Sequence, residues 1–449
     1  MLDLIKHYIK LALLPTVYIG GFGTMLVTIF KEARWGLFLL VFLIPQPNIW
    51  YKLFDFSMGK DFMDFLFLAV VIGMFVQKKG FTKTGNSIPI ILFIIVSYLA
   101  LWNSSIRFSL PLPISHSSDL LYEYKNYAQM IILYFLALNI IKKENHQKTL
   151  ILIMSAVVLL IAVRSYRNFS PGDVFSWERR ARGSFWMVGL GPNEMAAFFA
   201  HFAAVFLALF LFDRNKKRKL LFLATVLFSL HPLLFSYSRG AWMGFSIVMI
   251  FYGVMKKRSL LIVVVIVLLA WQVLLPSSVV ERIDMTVTED GQLEHSARGR
   301  PGLWMLAYDM FKEHPLFGVG YGGYSLIVGS TKESKKQDVH SSYMRILSEQ
   351  GVIGFVLFLL ILFKSFWSGF QLFKLSEEPF GKGLGFGFMG CVLATAVTNL
   401  FGDRWSYYVL GAYFWVFWGL VDRSILNIKD SLVLDSPTER GPLCSKKSA

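Results

Sequence analysis

Long apolar runs recur along this chain, and no water-soluble fold can bury so many at once. Residues 260–275 read LLIVVVIVLLAWQVLL, and residues 355–363 are nearly all aliphatic or aromatic. A helix crossing the hydrocarbon core needs roughly 20 apolar residues, fewer where flanking Lys and Arg reach back to the interface. Of 449 residues, 55% are hydrophobic and 16% aromatic, and the mean hydropathy is +0.54. That balance excludes a soluble globule. The expected fold class is an all-α polytopic membrane protein with about 12–13 transmembrane helices.

A net charge of +16 would suggest nucleic acid if it were spread over one surface. It is not. Basic residues cluster at Lys78, Lys79 and Lys83, at Lys142, Lys143 and Lys148, at 214–219, at Lys256, Lys257 and Arg258, and from Arg423 onward. Each cluster lies between apolar segments on alternate connections, as cytoplasmic loops do under the positive-inside rule. The partner this implies is a lipid bilayer, with no nucleic acid.

Taking those clusters as cytoplasmic places spans near 11–30, 35–49, 62–77, 88–103, 127–142, 149–165, 192–212, 219–237, 241–255, 259–275, 349–366, 384–402 and 405–421. Thirteen spans put the N-terminus outside. An even number with both ends inside follows instead if residues 15–23 (PTVYIGGFG) break the first segment into a re-entrant hairpin. The opening MLDLIKHYIK lacks a cleavage pattern, so the first span is expected to stay in the mature chain. Four regions are expected: a bundle over 1–275, a polar loop with short helices over 276–348, C-terminal spans over 349–421 and a disordered cytoplasmic tail over 422–449. Cys391 and Cys444 have no partner at disulfide or metal spacing.

The loop over 276–340 is the one long polar stretch, and long loops in compact proteins are where function concentrates. Three features bring arginine and glycine to helix N-termini on its side of the bundle. Arg179, Arg180 and Arg182 lead through Gly183-Ser184-Phe185 to Gly191-Pro192-Asn193, with Pro192 suited to a first helical turn. Ser238-Arg239-Gly240 opens an inward-running span. Arg298-Gly299-Arg300-Pro301 precedes a loop helix over 302–311, whose apolar face is Trp304, Ala307, Tyr308 and Phe311. His314-Pro315 ends that helix, and Gly318-Val319-Gly320-Tyr321-Gly322-Gly323 follows.

Helix N-termini attract anions, and arginine offers a two-point fork for phosphate oxygens. The favoured ligand is therefore a phosphate or pyrophosphate. Arg179 and Arg180 read equally well as solvated charge. Arg239 is harder to dismiss, because basic residues avoid outer turns. His340 is the acid–base candidate, since an imidazole titrates near neutrality; it stands before Ser341 and Ser342, either of which can cap the next helix. His231 reads as a packing residue, and His295 and His314 as surface histidines. Asp403-Arg404 reads as a structural ion pair.

The string from His340 through Ser-Ser-Tyr-Met-Arg to Gly351-Val-Ile-Gly354 resembles the C-terminal motif of the bacterial O-antigen ligase and polymerase superfamily. Gly299-Arg300, Trp304 and His314-Pro315-Leu316-Phe317-Gly318-Val319-Gly320 resemble its loop signature. Arg182-Gly183-Ser184-Phe185 through Asn193, and Ser238-Arg239-Gly240, resemble its other motifs, in the family's order over about residues 180–365. The resemblance implies a lipid-dependent glycosyltransferase-type bundle with one long periplasmic loop, in the bacterial inner membrane. It implies an undecaprenyl-pyrophosphate-linked glycan as donor and a glycolipid (lipid A core), glycan or protein hydroxyl as acceptor. Transfer would be metal-independent and inverting, with no cofactor. On it His340 and Arg300 map to catalytic positions, and Arg239, Arg182, Asn193 and Arg298 to donor binding. A common family form has Asn after the histidine where Ser341 stands here. Polymerisation within the same superfamily is one alternative, and a lipid-linked glycan flippase another. Transporters, however, set their charges near the midplane, and here charge gathers outside.

Overall fold

The computed structural model describes residues 2–170, 176–181, 183–285, 299–331 and 338–434. In chain order its helices are α1 (Leu2–Phe30), α2 (Ala33–Leu43), α3 (Pro47–Trp50), α4 (Phe62–Val76), α5 (Ser87–Arg107), α6 (Asp119–Ile140), α7 (Glu144–Arg167), α8 (Pro192–Phe212) and α9 (Lys216–Phe235). There follow α10 (Arg239–Met255), α11 (Ser259–Leu274), α12 (Ser277–Asp284), α13 (Arg300–Glu313), α14 (Gly323–Thr331), α15 (Ser342–Leu375), α16 (Pro379–Leu400) and α17 (Tyr408–Leu434). Among the described residues there is no strand. The all-α polytopic class is confirmed.

The span count is lower than expected. Among the described residues, seven helices are long and apolar enough to cross a membrane, and up to nine if each of two bent pairs forms one span. Every one of the thirteen expected segments does fall on a helix. However, residues Leu14–Phe30, Phe62–Val76 and Arg239–Met255 form shorter apolar helices. At 1.5 Å per residue they fall short of a core about 30 Å thick. α6 opens with Asp119, Glu123 and Lys125, which dilute its apolar run. The break at 15–23 on which the even-count alternative depends does not occur: α1 is continuous through Pro15.

α8 forms the centre. Every residue from Met195 to Leu209 is buried, so a helix that is apolar all round is also covered all round. α16 reaches it through glycine: a Cβ at Gly387 would lie 2.9 Å from Val205 O, and one at Gly383 would lie 3.3 Å from Leu209 Cα. Membrane helices pack closely where small residues let backbones approach, since lipid gives no hydrophobic drive to associate. α17 closes the other side with Trp415 and Trp418, stacked at 5.6 Å and fully buried beside Tyr134 of α6. By contrast α11 buries no residue and bends 104° into α12.

The expected tail boundary also moves. α17 runs on to Leu434, because Asp422 and Arg423 are buried rather than solvated. Asp422 accepts from Asn86 Nδ2 at 2.7 Å and Tyr134 OH at 2.5 Å, while Arg423 Nε donates to Leu138 O at 2.6 Å. Paired in this way, charges can sit inside a bundle. The rest of the expected tail lies outside the described residues.

Candidate functional site

The loop signature works first as a clamp. Gly351 has φ +64°, a left-handed conformation that interrupts α15 and that glycine adopts without steric cost. The interruption frees two carbonyls: Val319 N donates to Ser348 O at 2.8 Å and Gly320 N to Glu349 O at 3.0 Å. Val352 N donates to Pro315 O at 2.8 Å. The other side of the same segment holds α5, through Tyr321 N to Ala100 O at 2.9 Å and Asn103 Nδ2 to Gly318 O at 3.0 Å. His314 Nε2 lies 2.6 Å from Arg107 Nη1. The histidine and glycines of HPLFGVG thus fix the loop to two helices.

α13 starts at Arg300 with Pro301 in its first turn, as expected. Its face toward the protein is Trp304, Ala307 and Met310, whereas Tyr308 is 44% exposed. This corrects the expected face of Trp304, Ala307, Tyr308 and Phe311: Met310 at i+3 from Ala307 replaces Tyr308. Trp304 Nε1 donates to Val339 O at 3.1 Å. The turn after Arg300 is therefore tied to the residue before His340.

His340 has φ +54°, a left-handed turn that turns the chain into α15. Ser341 then caps that helix, its side chain accepting from Met344 N at 3.4 Å. The imidazole is half exposed, with Nδ1 3.7 Å from Asp338 Oδ2, within ion-pair range but beyond a hydrogen bond. Burial, with Asp403 adding to it, pushes the Asp338 carboxyl above the usual carboxylate range against the opposing pull of Arg345.

Inward of His340 lies a polar knot. The Ser342 hydroxyl is 2.5 Å from Asn399 Oδ1 and 2.9 Å from Asp403 Oδ1, and accepts from Arg404 N at 3.2 Å. Asp403 pairs with Arg345 Nη1 and accepts from Ser406 Oγ at 2.7 Å. Arg345 Nε reaches Glu349 Oε2 at 3.3 Å. This corrects the expected Asp403–Arg404 pair: Asp403 turns to Arg345, and Arg404 Nη1 donates to Thr398 O. The neighbouring His201 Nε2 lies 2.7 Å from Thr398 Oγ1.

The arginine-rich segment and the SRG turn meet beside this knot. Arg180 Nε donates to Ser236 O at 2.7 Å and its Nη2 to Asn193 Oδ1 at 2.6 Å, and Ala181 N donates to Phe235 O at 2.8 Å. Arg180 is therefore a built contact and not solvated charge. The Trp177 ring is in cation–π range of both Arg180 and Arg282, at 5.2 and 5.0 Å. Pro192 takes the first turn of α8, as expected. Arg239 is the first residue of α10, after left-handed Tyr237, whose hydroxyl meets Ser278 Oγ at 2.9 Å. Gly240 abuts Phe401, where a Cβ would lie 3.2 Å from the phenylalanine Cβ.

Both the SRG turn and the His340-Ser-Ser turn thus adjoin the corner at residues 401–404. Arg239 adjoins Gly240, which touches Phe401, and His340 stands two residues before Ser342, which bonds Asp403. Arg182 and Arg298, expected to bind donor, lie outside the described residues, as does His295. Arg345, Asp338 and Glu349 were missed by sequence reasoning. Their signal was available: Ser342, Arg345 and Glu349 share one face of a helix that enters the apolar core.

A cavity of about 530 Å³ opens beside the knot, walled by α4, α6, Tyr321, Asp338, Arg345 and the start of α17. The molecule is thus a polytopic helical membrane protein with a charged corner and an adjacent cavity under one polar loop. Residues 224–359, which carry Arg239, Arg300 and His340, match the family described as O-antigen ligase. That match supports membership of the O-antigen ligase/polymerase superfamily and, in general, a function of that type. No curated protein matches the chain.

Proposed function

We propose that this protein transfers a glycan from an undecaprenyl-pyrophosphate donor to an acceptor hydroxyl on the outer face of the inner membrane, in the manner of an O-antigen ligase. The observation that carries the reading is the meeting of the SRG turn and the His340 turn at one corner, each bringing its basic residue to a helix start. The acceptor oxygen attacks the anomeric carbon as the bond from that carbon to the pyrophosphate oxygen breaks. The bonding pair leaves with the diphosphate, and the hydroxyl proton passes to His340. A single displacement of this kind inverts the anomeric centre.

Arg239 and Arg300 offset the charge that grows on the leaving group, which is where preorganised donors contribute most. Asn193, fixed by Arg180, presents its remaining amide donors to the donor phosphates. Arg182 and Arg298 are assigned to the same task. Asp338 favours the protonated imidazole that forms when His340 takes the proton. Arginine supplies the counter-charge in this scheme, and the acceptor is a glycolipid, glycan or protein hydroxyl.

The test uses full-length protein in nanodiscs with purified lipid-linked glycan. His340→Ala should lose transfer by about 10²–10⁴-fold, the usual worth of a general base, while donor still binds. Arg239→Ala and Arg300→Ala should lose transfer, and Lys at either position should restore only part, because the two-point geometry is gone. Full turnover by His340→Ala, or unchanged rate and donor affinity in both arginine variants, would overturn the reading. Donor movement across the bilayer without transfer would favour the flippase.

A further inference from the structure

The cavity beside the charged corner does not suit a diphosphate. Its basic lining residues are Lys60 and Arg345, and Arg345 is already committed to Asp403 and Glu349. Against them stand the carboxylates of Asp64, Glu123 and Asp338. Asp64 is itself held by Lys125 Nζ at 2.5 Å and Gln129 Nε2 at 2.8 Å. The lining thus carries three carboxylates against two basic groups, one of them already committed.

What the cavity offers instead is neutral hydrogen-bonding capacity among aromatic rings. Tyr321 is only 5% exposed and lines the cavity, yet among the described residues its hydroxyl makes no hydrogen bond. The Tyr407 hydroxyl and the Asn126 amide, also on the wall, likewise have no partner among the described residues. Three polar groups without a protein partner among the described residues thus face one accessible space, free to meet a ligand's hydroxyls. Trp50 adds an apolar face, and the volume lies within the roughly 300–1,000 Å³ usual for ligand sites.

We infer that this cavity is a recognition subsite for an uncharged sugar unit, read by Tyr321, Tyr407 and Asn126 through its hydroxyls. Hydroxyls both donate and accept, which matches phenols and an amide better than ionic groups do. Most of the wall comes from outside residues 224–359: Trp50, Asp64, Asn126 and Tyr407 all lie beyond that matched segment. Glycan selectivity would then be set apart from the chemistry. This inference rests on the transfer reading and names the part of the substrate that the corner does not hold. The sugar is either the donor's or the acceptor's.

The experiment is saturation-transfer NMR on the full-length protein in nanodiscs. The probes are glucose, galactose, N-acetylglucosamine, maltose and glycan released by mild acid from the cell's own lipid-linked pool. At least one should give a signal, and Asn126→Ala and Tyr321→Phe should each weaken its affinity at least tenfold. Tyr321→Phe keeps the ring and removes only an unpaired hydroxyl, so a fold defect does not confuse it. Inorganic pyrophosphate should leave the signal unchanged, and His340→Ala should keep it while losing transfer. Displacement by the released donor glycan would assign the subsite to the donor, and displacement only by acceptor saccharide would assign it to the acceptor. A signal indifferent to both variants, displacement by pyrophosphate, or no signal from any probe would overturn the subsite and leave the transfer reading standing. Sugar binding by a wild-type protein without transfer would sink the transfer reading and, with it, this inference.

Discussion

Arg345 gives the strongest test of the architecture. Most of its side chain is covered, and opposite ends of one guanidinium hold two carboxylates, Asp403 through Nη1 and Glu349 through Nε. Arg345→Met keeps most of the stem and removes the charge. Asp403 then retains the Ser342 and Ser406 hydroxyls, but Glu349 loses its only side-chain partner among the described residues, where its Oε1 makes no hydrogen bond. Removing one member of a buried ion pair costs about 3–5 kcal/mol, because the other charge stays uncompensated. At the low end of roughly 2–4 °C per kcal/mol, that lowers the melting temperature by about 6–10 °C. Thermal unfolding in detergent, followed by intrinsic fluorescence, reads this directly. Arg345→Met/Glu349→Leu should recover most of the loss, since replacing a buried pair wholly by apolar groups is often neutral. A single variant melting within about 1 °C of wild type, or a double variant below the single, would refute the network as described.

Three further outcomes follow from other residues. Gly351→Ala puts a Cβ 2.4 Å from the Leu316 carbonyl carbon at φ +64°; beyond the roughly 1–2 kcal/mol of a left-handed L-residue, it must displace the clamp, so a lower melting temperature and lost transfer are expected, and unchanged values would contradict the clamp. The Asp338 carboxyl is held above its ordinary value of 3.8, so folding favours its protonated form, and that contribution is lost as pH rises from near 3.8 through the raised value. Asp338→Asn should therefore gain melting temperature relative to wild type at neutral pH and gain nothing well below pH 3.8; a gain that does not change with pH would contradict the shift. Ser330→Cys should label with an impermeant maleimide in intact cells and Lys217→Cys only after permeabilisation, and the reverse pattern would invert the expected sidedness.

The sequence made the fold class and helix positions legible, because apolar runs and basic clusters are one-dimensional signals. Span completeness was not legible in the same way. α10 and α4 read as spans by composition, but their length depends on where turns such as Ser238-Arg239 and the stop after Val76 fall. The local positions of candidate residues were also readable: Arg239, Asn193, Arg300 and His340 occupy the helix starts and turns that their motifs suggested. Partnerships between distant elements were not. Nothing in the order of residues says that Asp403 turns from its neighbour Arg404 to Arg345, or that Arg180 bonds a carbonyl 56 positions away. Such pairings are fixed by the bend at Gly351 and the packing of α16 on α8, which exist only in three dimensions.

The same geometry explains why Arg345 belongs to neither of the two neighbouring environments alone. It forms part of the cavity wall, yet its charge is spent on Asp403, which also receives the Ser342 hydroxyl two residues from His340. A free guanidinium in that wall would draw the diphosphate into the cavity, since arginine matches phosphate wherever it is unpaired. Neutralised by two carboxylates, it keeps the cavity suited to uncharged groups, and in the transfer proposed above the diphosphate is left to Arg239 and Arg300. In the transfer proposed here, the knot of Ser342, Arg345, Glu349 and Asp403 thus decides where the diphosphate does not go. On that proposal the glycosyl–phosphate bond would lie between corner and cavity, beside the His340 turn.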